Sequence, residues 1–157
     1  MFKPNIIMYT DGASRGNPGP GGYGVVLMAG THKKELSQGY RLTTNNRMEI
    51  MAVIAGLKAL KKDGLKIIIY SDSQYVVNAI EKFWLEKWIK TNFKGGKKNK
   101  DLWTEFYHLS QNHTIRFVWV RGHADNPYNN RCDELATAAA DGRNLLQDEG
   151  YESDKQK

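Results

Sequence analysis

The chain has 157 residues, a formal net charge of +6 at neutral pH and a single cysteine. This length fits one domain, which buries roughly 70% of the surface of its unfolded chain. One cysteine cannot form an internal disulfide, and no N-terminal apolar segment has the length of a signal peptide or a membrane helix. We therefore expect a cytoplasmic protein of a reducing compartment, without membrane attachment.

The positive charge is concentrated in one segment, residues 82–100. This segment contains seven lysines and one glutamate. Four aromatic residues lie among them: Phe83, Trp84, Trp88 and Phe93. A basic segment interleaved with aromatic side chains is typical of proteins that bind a polyanionic backbone. Because Gly95 and Gly96 interrupt the helical pattern, a projecting loop that binds nucleic acid is favoured over a solvated amphipathic helix with its aromatics in the core.

Two predicted strands each close on an aspartate. The first is an apolar run, residues 6–9 (IIMY), followed by Asp11 and a turn rich in glycine and proline. Asp11 alone could simply start this turn by accepting hydrogen bonds from nearby backbone N–H groups. However, a second isoleucine-rich strand, residues 66–72, also ends on an aspartate, Asp72. Ligands of α/β sheets bind at the carboxyl ends of the strands, so the pair indicates a shared metal or acid–base site.

The remaining elements predict an α/β fold. Segments 23–28 and 33–42 are predicted strands that form an antiparallel meander with the first strand. Helices are predicted at 47–62, at 73–82 with an interrupted continuation to about 88, at 101–111 and at 131–140, and a last strand at 114–120. This order predicts a five-stranded mixed sheet, a three-strand antiparallel meander plus two parallel strands, flanked by helices. Residues 1–143 are expected to form the domain and 144–157 a flexible tail.

Some acidic residues have structural interpretations of their own. Asn46 suits an N-cap, and Glu49 stands three residues later, where it could complete a capping box. Asp133 lies near the first turn of its predicted helix, where an acidic residue complements the helix dipole. Asp72 or Ser73 could cap the helix that follows the fourth strand. The local pattern alone therefore leaves both structural and functional roles open.

Five segments resemble, in order, ribonuclease H of type 1, the single-domain enzyme that cleaves the RNA strand of RNA–DNA hybrids. They are TDGASRGNPGPGGYG from Thr10, TTNNRMEIMA from Thr43, SDSQYVVN from Ser71, the basic stretch before Asp101, and VRGHADNPYNNRCDELATAAA from Val120. Together they extend over nearly the whole chain. The resemblance implies the ribonuclease H-like fold and a free-standing monomer whose partner is an RNA–DNA hybrid, with no obligate protein partner.

The resemblance also implies a carboxylate cluster that holds two Mg²⁺ ions, with Mn²⁺ as an alternative. Its members are Asp11, Glu49, Asp72 and Asp133, spaced by 38, 23 and 61 residues. Only the fold can gather residues so far apart. Oxygen ligands suit Mg²⁺, and two ions about 4 Å apart can activate the attacking water and stabilise the leaving 3′ oxygen. We expect an endonuclease without strong sequence preference that leaves 5′-phosphate and 3′-hydroxyl ends.

Further residues receive roles from the same resemblance. His123 matches the family's mobile histidine, thought to shuttle protons or to assist product release, and an imidazole titrates at a pH suitable for either. Contacts to the hybrid are implied for Asn17, Thr44, Asn45 and Gln74. Contacts to the DNA-strand phosphates are implied for Lys87, Lys90, Lys94, Lys97 and Lys98. Discrimination of RNA uses its 2′-hydroxyl groups, and phosphate contacts add affinity without sequence preference.

Other functions remain as alternatives. The loop after Val120 departs from the family at three positions: Asp125, Tyr128 and Asn130. These changes bear on the mobility of the loop and on the pH profile. A non-catalytic hybrid-binding module is the main alternative, and the presence of all four carboxylates and of His123 argues against it. A metal-dependent phosphatase would have a second aspartate two residues after Asp11, where this chain has Ala13. A domain linked to a polymerase is a further alternative.

Overall fold

The computed structural model describes residues 2–95, 97–121 and 126–155, apart from the side chains of 154 and 155. Over these residues the elements are β1 Ile6–Ser14, β2 Gly19–Ala29, β3 His32–Thr43, α1 Asn45–Lys58, β4 Lys66–Ser71, α2 Gln74–Glu81, α3 Trp84–Lys90, α4 Lys100–Ser110, β5 Thr114–Trp119, α5 Pro127–Ala140, β6 Leu145–Leu146 and α6 Glu149–Lys155. The α/β class predicted from the sequence is confirmed.

The sheet is mixed and has the order β5-β4-β1-β2-β3-β6. Strands β1, β2 and β3 form the predicted antiparallel meander, and β4 and β5 extend it as parallel strands next to β1. The predicted number of five strands is wrong, because Leu145–Leu146 adds a sixth strand that pairs in parallel with Gly39 and Tyr40. A two-residue strand has no periodicity from which a sequence pattern could predict it.

Strand β1 is longer than predicted, so Asp11 lies inside it and not at its end. The parallel ladder with β4 stops at Thr10, opposite Ser71, whereas the antiparallel ladder with β2 continues to Ser14. Asp11 is therefore the first residue of β1 beyond the ladder shared with β4. Asp72 directly follows the last residue of β4. Both aspartates thus reach the same edge of the sheet, as the sequence predicts.

Helices α1 and α5 cover opposite faces of the sheet. A Cβ atom at Gly12 of β1 would collide with the backbone of α1, and one at Gly24 of β2 would collide with the backbone of α5. Gly24 lies opposite Asp11 in the register, and successive residues of a strand point to opposite faces. Glycines thus allow both helices to approach the sheet closely on either side of Asp11.

The first turns of α1 and α5 differ from the sequence predictions. The Thr44 side chain is the N-cap of α1 and its Oγ1 accepts the N–H of Arg47 at 3.3 Å. Asn46 is therefore not the N-cap, and the alternative interpretation of Asn46 and Glu49 as a capping box does not apply. Helix α5 begins at Pro127, four residues earlier than predicted, because Asn126 caps it and proline is favoured in the first turn. The cap at Ser73 of α2 is confirmed, since its Oγ accepts the N–H of Val76.

Residues 145–152 pack against the rest of the domain, which differs from the expected flexible tail. Asp148 is 1% exposed and Arg47 is 3% exposed. The Arg47 guanidinium donates to Asp148 at 2.7 and 2.9 Å and to Asp101 at 2.6 and 2.9 Å. The Thr43 hydroxyl also donates to Asp148 at 2.7 Å. This buried ion pair joins the C-terminal segment to the start of α1.

None of the helices that the structure describes is long and apolar enough to cross a membrane.

We expect Asp148→Ala to lower the free energy of unfolding by about 3 kcal/mol, because it leaves the buried Arg47 guanidinium with one carboxylate partner fewer. Asp141→Ala is the matched control, since the ion pair of Asp141 with Arg15 is half exposed and exposed pairs contribute little. Urea unfolding followed by circular dichroism measures both variants. Equal destabilisation by the two substitutions would contradict a structural role for the buried pair.

Candidate active site

Asp11 is held in place by the backbone of β1. Its side chain is 5% exposed, and its Oδ1 accepts the N–H of Gly12 at 2.9 Å. The position next in the strand has to be glycine, because a Cβ at Gly12 would collide with the backbone of Met48 and Glu49. The close approach of α1 to β1 therefore occurs at the turn of α1 that carries Glu49.

The carboxylates of Asp11, Glu49 and Asp72 converge at this place. One ligand oxygen of each lies within 4.8 Å of those of the other two. These residues line a cleft of about 290 Å³, and Asp133 of α5 lines the same cleft. In the described part of the chain, the set of ligand oxygens within 4.8 Å of one another does not include an oxygen of Asp133. The structure thus brings all four predicted carboxylates to one cleft and three of them into direct proximity.

The electrostatics of the cluster favour protonation in the absence of a cation. Burial, followed by the charges of Asp72 and Asp133, raises the pKa of Asp11 to about 8. Burial, followed by the charges of Asp11 and Asp72, raises the pKa of Glu49 well above its ordinary value. Like charges in a desolvated site disfavour ionisation of each other. No Lys or Arg is among the described residues that line the cleft, so none of these side chains offsets the negative charges.

A divalent cation fits this donor set. The Oε1 atom of Glu49 is buried and has no hydrogen-bond partner in the described part of the chain, and an unsatisfied buried oxygen is unusual in a folded protein. Carboxylate oxygens are the ligands that hard divalent cations prefer. A bound cation would also reverse the electrostatic penalty of gathering the carboxylates. Asp11, Glu49 and Asp72 could therefore hold a metal ion.

Of the predicted substrate-binding residues other than the lysines, Asn45 lines the cleft, and the others contact it or lie close in sequence to residues that line the cleft. The Asn17 Oδ1 accepts the backbone N–H of Asn45 at 3.1 Å, and the Asn45 Oδ1 accepts from the Ser14 hydroxyl at 2.9 Å. Gln74 is the exposed first residue of α2, two positions after Asp72, and the Thr44 side chain is the α1 cap described above. The predicted residues His123 and Asp125 lie outside the described residues.

The predicted lysines lie on α3 and on the segment that follows it. The side chains of Lys87, Lys90, Lys94, Lys97 and Lys98 are all exposed. Trp84, Trp88 and several of these lysines line a shallow depression of about 590 Å³, and the Lys97 Nζ lies 5.9 Å from the centre of the Trp88 ring. The aromatic residues divide between two roles: Phe93 is buried in the core, whereas Phe83 is 62% exposed.

Two residues at the site were not identified from the sequence. Asn129 is buried and lines the cleft, but the helix that carries it was predicted to begin only after it. The Asn126–Pro127 pair, an N-cap followed by proline, is the signal that would have included it in the helix. The Trp119 Nε1 donates to the backbone carbonyl of Asp72 at 3.1 Å. This contact joins residues 47 positions apart, and no local pattern indicates it.

Fold and site together define a class of protein. A mixed sheet between helices that gathers carboxylates at one edge, together with an exposed basic and aromatic surface, is the arrangement of a metal-dependent enzyme acting on a polyanion. The sequence profile of the RNase H family matches residues 3–141. The chain belongs to the RNase H family, whose members are endoribonucleases.

Individual relatives agree with this assignment. The chain is 56% identical to the Ribonuclease H of Syntrophus aciditrophicus over 95% of this chain and 88% of the relative, and 55% identical to that of Desulforamulus reducens over 89% and 90%. Its fold is similar to the crystal structure of LC9-RNase H1, a type 1 RNase H with the type 2 active-site motif, with a TM-score of 0.81 and 29% identity, over 99% of this chain and 82% of that one. It is also similar to LC11-RNase H1 in complex with RNA/DNA hybrid, with a TM-score of 0.67 and 28% identity over 87% and 96%.

The raised pKa of Asp11 predicts that this carboxylate destabilises the metal-free protein at neutral pH. Between the ordinary pKa and the folded pKa of about 8, the folded state binds the proton more tightly than the unfolded state, so stability falls as the pH rises through this range. Asp11→Asn removes this loss and keeps an oxygen that accepts the N–H of Gly12. In EDTA at pH 8 we expect the free energy of unfolding to rise by on the order of 1–3 kcal/mol.

Urea unfolding in EDTA at pH 5 and pH 8 measures this effect. The gain from Asp11→Asn should be clearly smaller at pH 5, where the folded wild-type protein already carries the proton. A destabilising effect of the substitution at both pH values would show that the cluster does not repel as the geometry indicates.

Proposed function

We propose that this protein is an endonuclease that hydrolyses the RNA strand of RNA–DNA hybrids, without strong sequence preference, leaving 5′-phosphate and 3′-hydroxyl ends. The observation that carries the proposal is the approach of the Asp11, Glu49 and Asp72 carboxylates to within 4.8 Å at one edge of the sheet. Membership of the RNase H family and the similarity to LC11-RNase H1, whose structure is in complex with RNA/DNA hybrid, support the choice of substrate.

The cofactor that suits this site is Mg²⁺, as two ions, with Mn²⁺ as a substitute. The residues that would hold it are Asp11, Glu49, Asp72 and Asp133. When bound, such ions supply Lewis-acid chemistry for in-line displacement at phosphorus. The carboxylates themselves would repel a phosphodiester, so their part is to bind and position the cations. Because all four are oxygen ligands, the donor set matches the preference of Mg²⁺.

Polar side chains in or near the cleft orient the hybrid. The Asn17 side-chain oxygen accepts the backbone N–H of Asn45, which holds the two residues next to each other where the RNA strand would bind. The Thr44 Oγ1 accepts the N–H of Arg47, which leaves its hydroxyl hydrogen free to donate to the substrate. Gln74 reaches the same strand from the start of α2. These groups can read the 2′-hydroxyls that distinguish RNA from DNA.

Two further roles complete the proposal. His123 assists by proton transfer or by product release, and its loss should slow turnover less than the loss of a carboxylate. The lysines of α3 and of the following segment bind the phosphates of the DNA strand, with the exposed face of Trp84 beside them. The protein acts as a monomer without an obligate protein partner. Its location is the cytoplasm, where an unpaired cysteine stays reduced.

Strand-specific cleavage tests the proposed function directly. A hybrid labelled separately on each strand is incubated with the protein, with Mg²⁺ or with EDTA, beside double-stranded RNA, double-stranded DNA and single-stranded RNA. We expect cleavage of the RNA strand of the hybrid only, and only with Mg²⁺. Asp72→Asn should lower the rate by at least about 10³-fold, because it removes one ligand of the catalytic cations.

The assay also distinguishes an endonuclease from a non-catalytic hybrid-binding module. Binding of the hybrid without cleavage across Mg²⁺, Mn²⁺ and a range of pH would replace the endonuclease with a hybrid-binding module. Cleavage of double-stranded RNA at a similar rate would reject the proposed substrate class.

The basic segment should contribute affinity that depends on salt. Replacing Lys87, Lys94 and Lys97 with glutamine should weaken hybrid binding in Ca²⁺. It should also reduce the magnitude of the slope of log K against log salt by about 2–3, because the variant neutralises three phosphates fewer and so releases fewer counterions on binding. The matched control replaces Lys33, Lys61 and Lys62, three exposed lysines with the same total charge. Helix α1 rises about 13 Å from Glu49 to its last residue, Lys58, and Lys61 and Lys62 follow that far end. An equal effect of both triple variants would indicate general attraction and no defined contact surface.

A further inference from the structure

Three buried side-chain atoms have no hydrogen-bond partner in the described part of the chain, and two of them belong to residues that line the carboxylate cleft. In the described part of the chain these side-chain atoms are Thr10 Oγ1, Glu49 Oε1 and Asn129 Oδ1. Glu49 and Asn129 line the cleft, and Thr10 directly precedes Asp11. Buried polar groups are nearly always satisfied in folded proteins, and an exception needs a specific explanation. The clustering suggests that the cleft is built for a partner that binds oxygen.

Asn129 differs from Glu49, which is already a proposed metal ligand, and from Thr10, which does not line the cleft. Its side chain is 3% exposed, so its carbonyl oxygen has lost water without gaining a donor in the described residues. An unsatisfied buried acceptor costs about 1–3 kcal/mol. A structural role alone gives no reason to maintain this cost, since an apolar side chain of similar size would avoid it.

The fold fixes the position of Asn129 next to the carboxylates. Its backbone N–H donates to the Asn126 side chain at 3.1 Å, which holds it in the first turn of α5. It lies four residues before Asp133, and residues with this spacing share a helix face with Cβ atoms about 5–6 Å apart. The Cys132 backbone closely approaches Gly24, the residue opposite Asp11 in the sheet. Helix α5 therefore presents Asn129 and Asp133 to the same cleft.

We propose that the Asn129 side-chain carbonyl is a further cation-binding group of this site, acting beside Asp133. A carbonyl oxygen of asparagine is a suitable ligand for a hard divalent cation and equally a suitable acceptor for a water bound to one. As a neutral group it adds an oxygen without adding negative charge to a cluster that is already crowded with carboxylates. This inference rests on the proposed function, because it assumes that the cluster binds divalent cations.

Cation binding without nucleic acid tests the inference. The folded protein is titrated with Mn²⁺, and free Mn²⁺ is measured by electron paramagnetic resonance. We expect Asn129→Ala to weaken Mn²⁺ binding about tenfold, the usual effect of removing an oriented partner of a metal site. Asn129→Asp keeps an oxygen at the same place and should bind Mn²⁺ at least as tightly as the wild type. Asn112→Ala is the control, because Asn112 is exposed to solvent and does not line the cleft, so this substitution should leave Mn²⁺ affinity unchanged.

The outcomes separate this inference from the proposed function. If Asn129→Ala binds Mn²⁺ like the wild type while Asp11→Asn loses binding, the cation site stands and the role of Asn129 is rejected. Weaker Mn²⁺ binding by Asn129→Asp also rejects it, even where Asn129→Ala fails to fold. If Asp11→Asn also binds Mn²⁺ like the wild type, the cluster is not the cation site and the proposed function fails with the inference.

Discussion

The electrostatic repulsion among the Asp11, Glu49 and Asp72 carboxylates is the constraint on which the rest of the structure depends. Gathering three acidic side chains within 4.8 Å opposes folding, so other contacts have to offset it. Strands β1 and β4 pair side by side in the sheet. Gly12 allows α1 to approach β1 closely, which brings Glu49 next to Asp11. The resulting strain is electrostatic and not conformational, and a cation can relieve it.

Most of the fold follows from the spacing of apolar residues. The order of β1 to β5 and of the longer helices between them is predictable because these elements are long enough to show their period. Element ends are less predictable, since they depend on caps such as Thr44 that compete with neighbours of similar chemistry. The packed C-terminal segment depends on the contact of Arg47 with Asp148, 101 residues apart, and on a strand of two residues. Neither leaves a local pattern.

The site is predictable only in part from the residues themselves. Asp11 and Asp72 are indicated by the strands that lead to them. Glu49 and Asp133 each have an adequate local explanation as helix-terminal acids, so only the family resemblance points to them. The structure removes the local explanation for Glu49, because Thr44 is the cap of its helix. Neither a strand pattern nor a role implied by the family resemblance points to Asn129. Its importance comes from burial next to residues that are distant in sequence.

Proton release on cation binding tests the central claim most directly. Isothermal titration of the substrate-free protein with Mn²⁺, repeated at pH 7 in buffers of different ionisation enthalpy, gives the number of protons released. Since the pKa of Asp11 is raised to about 8 and that of Glu49 is also raised, the account predicts a clear net release, of about one proton or more per molecule. Cation binding with no proton release at pH 7 would show that the carboxylates are already ionised, and would contradict the account.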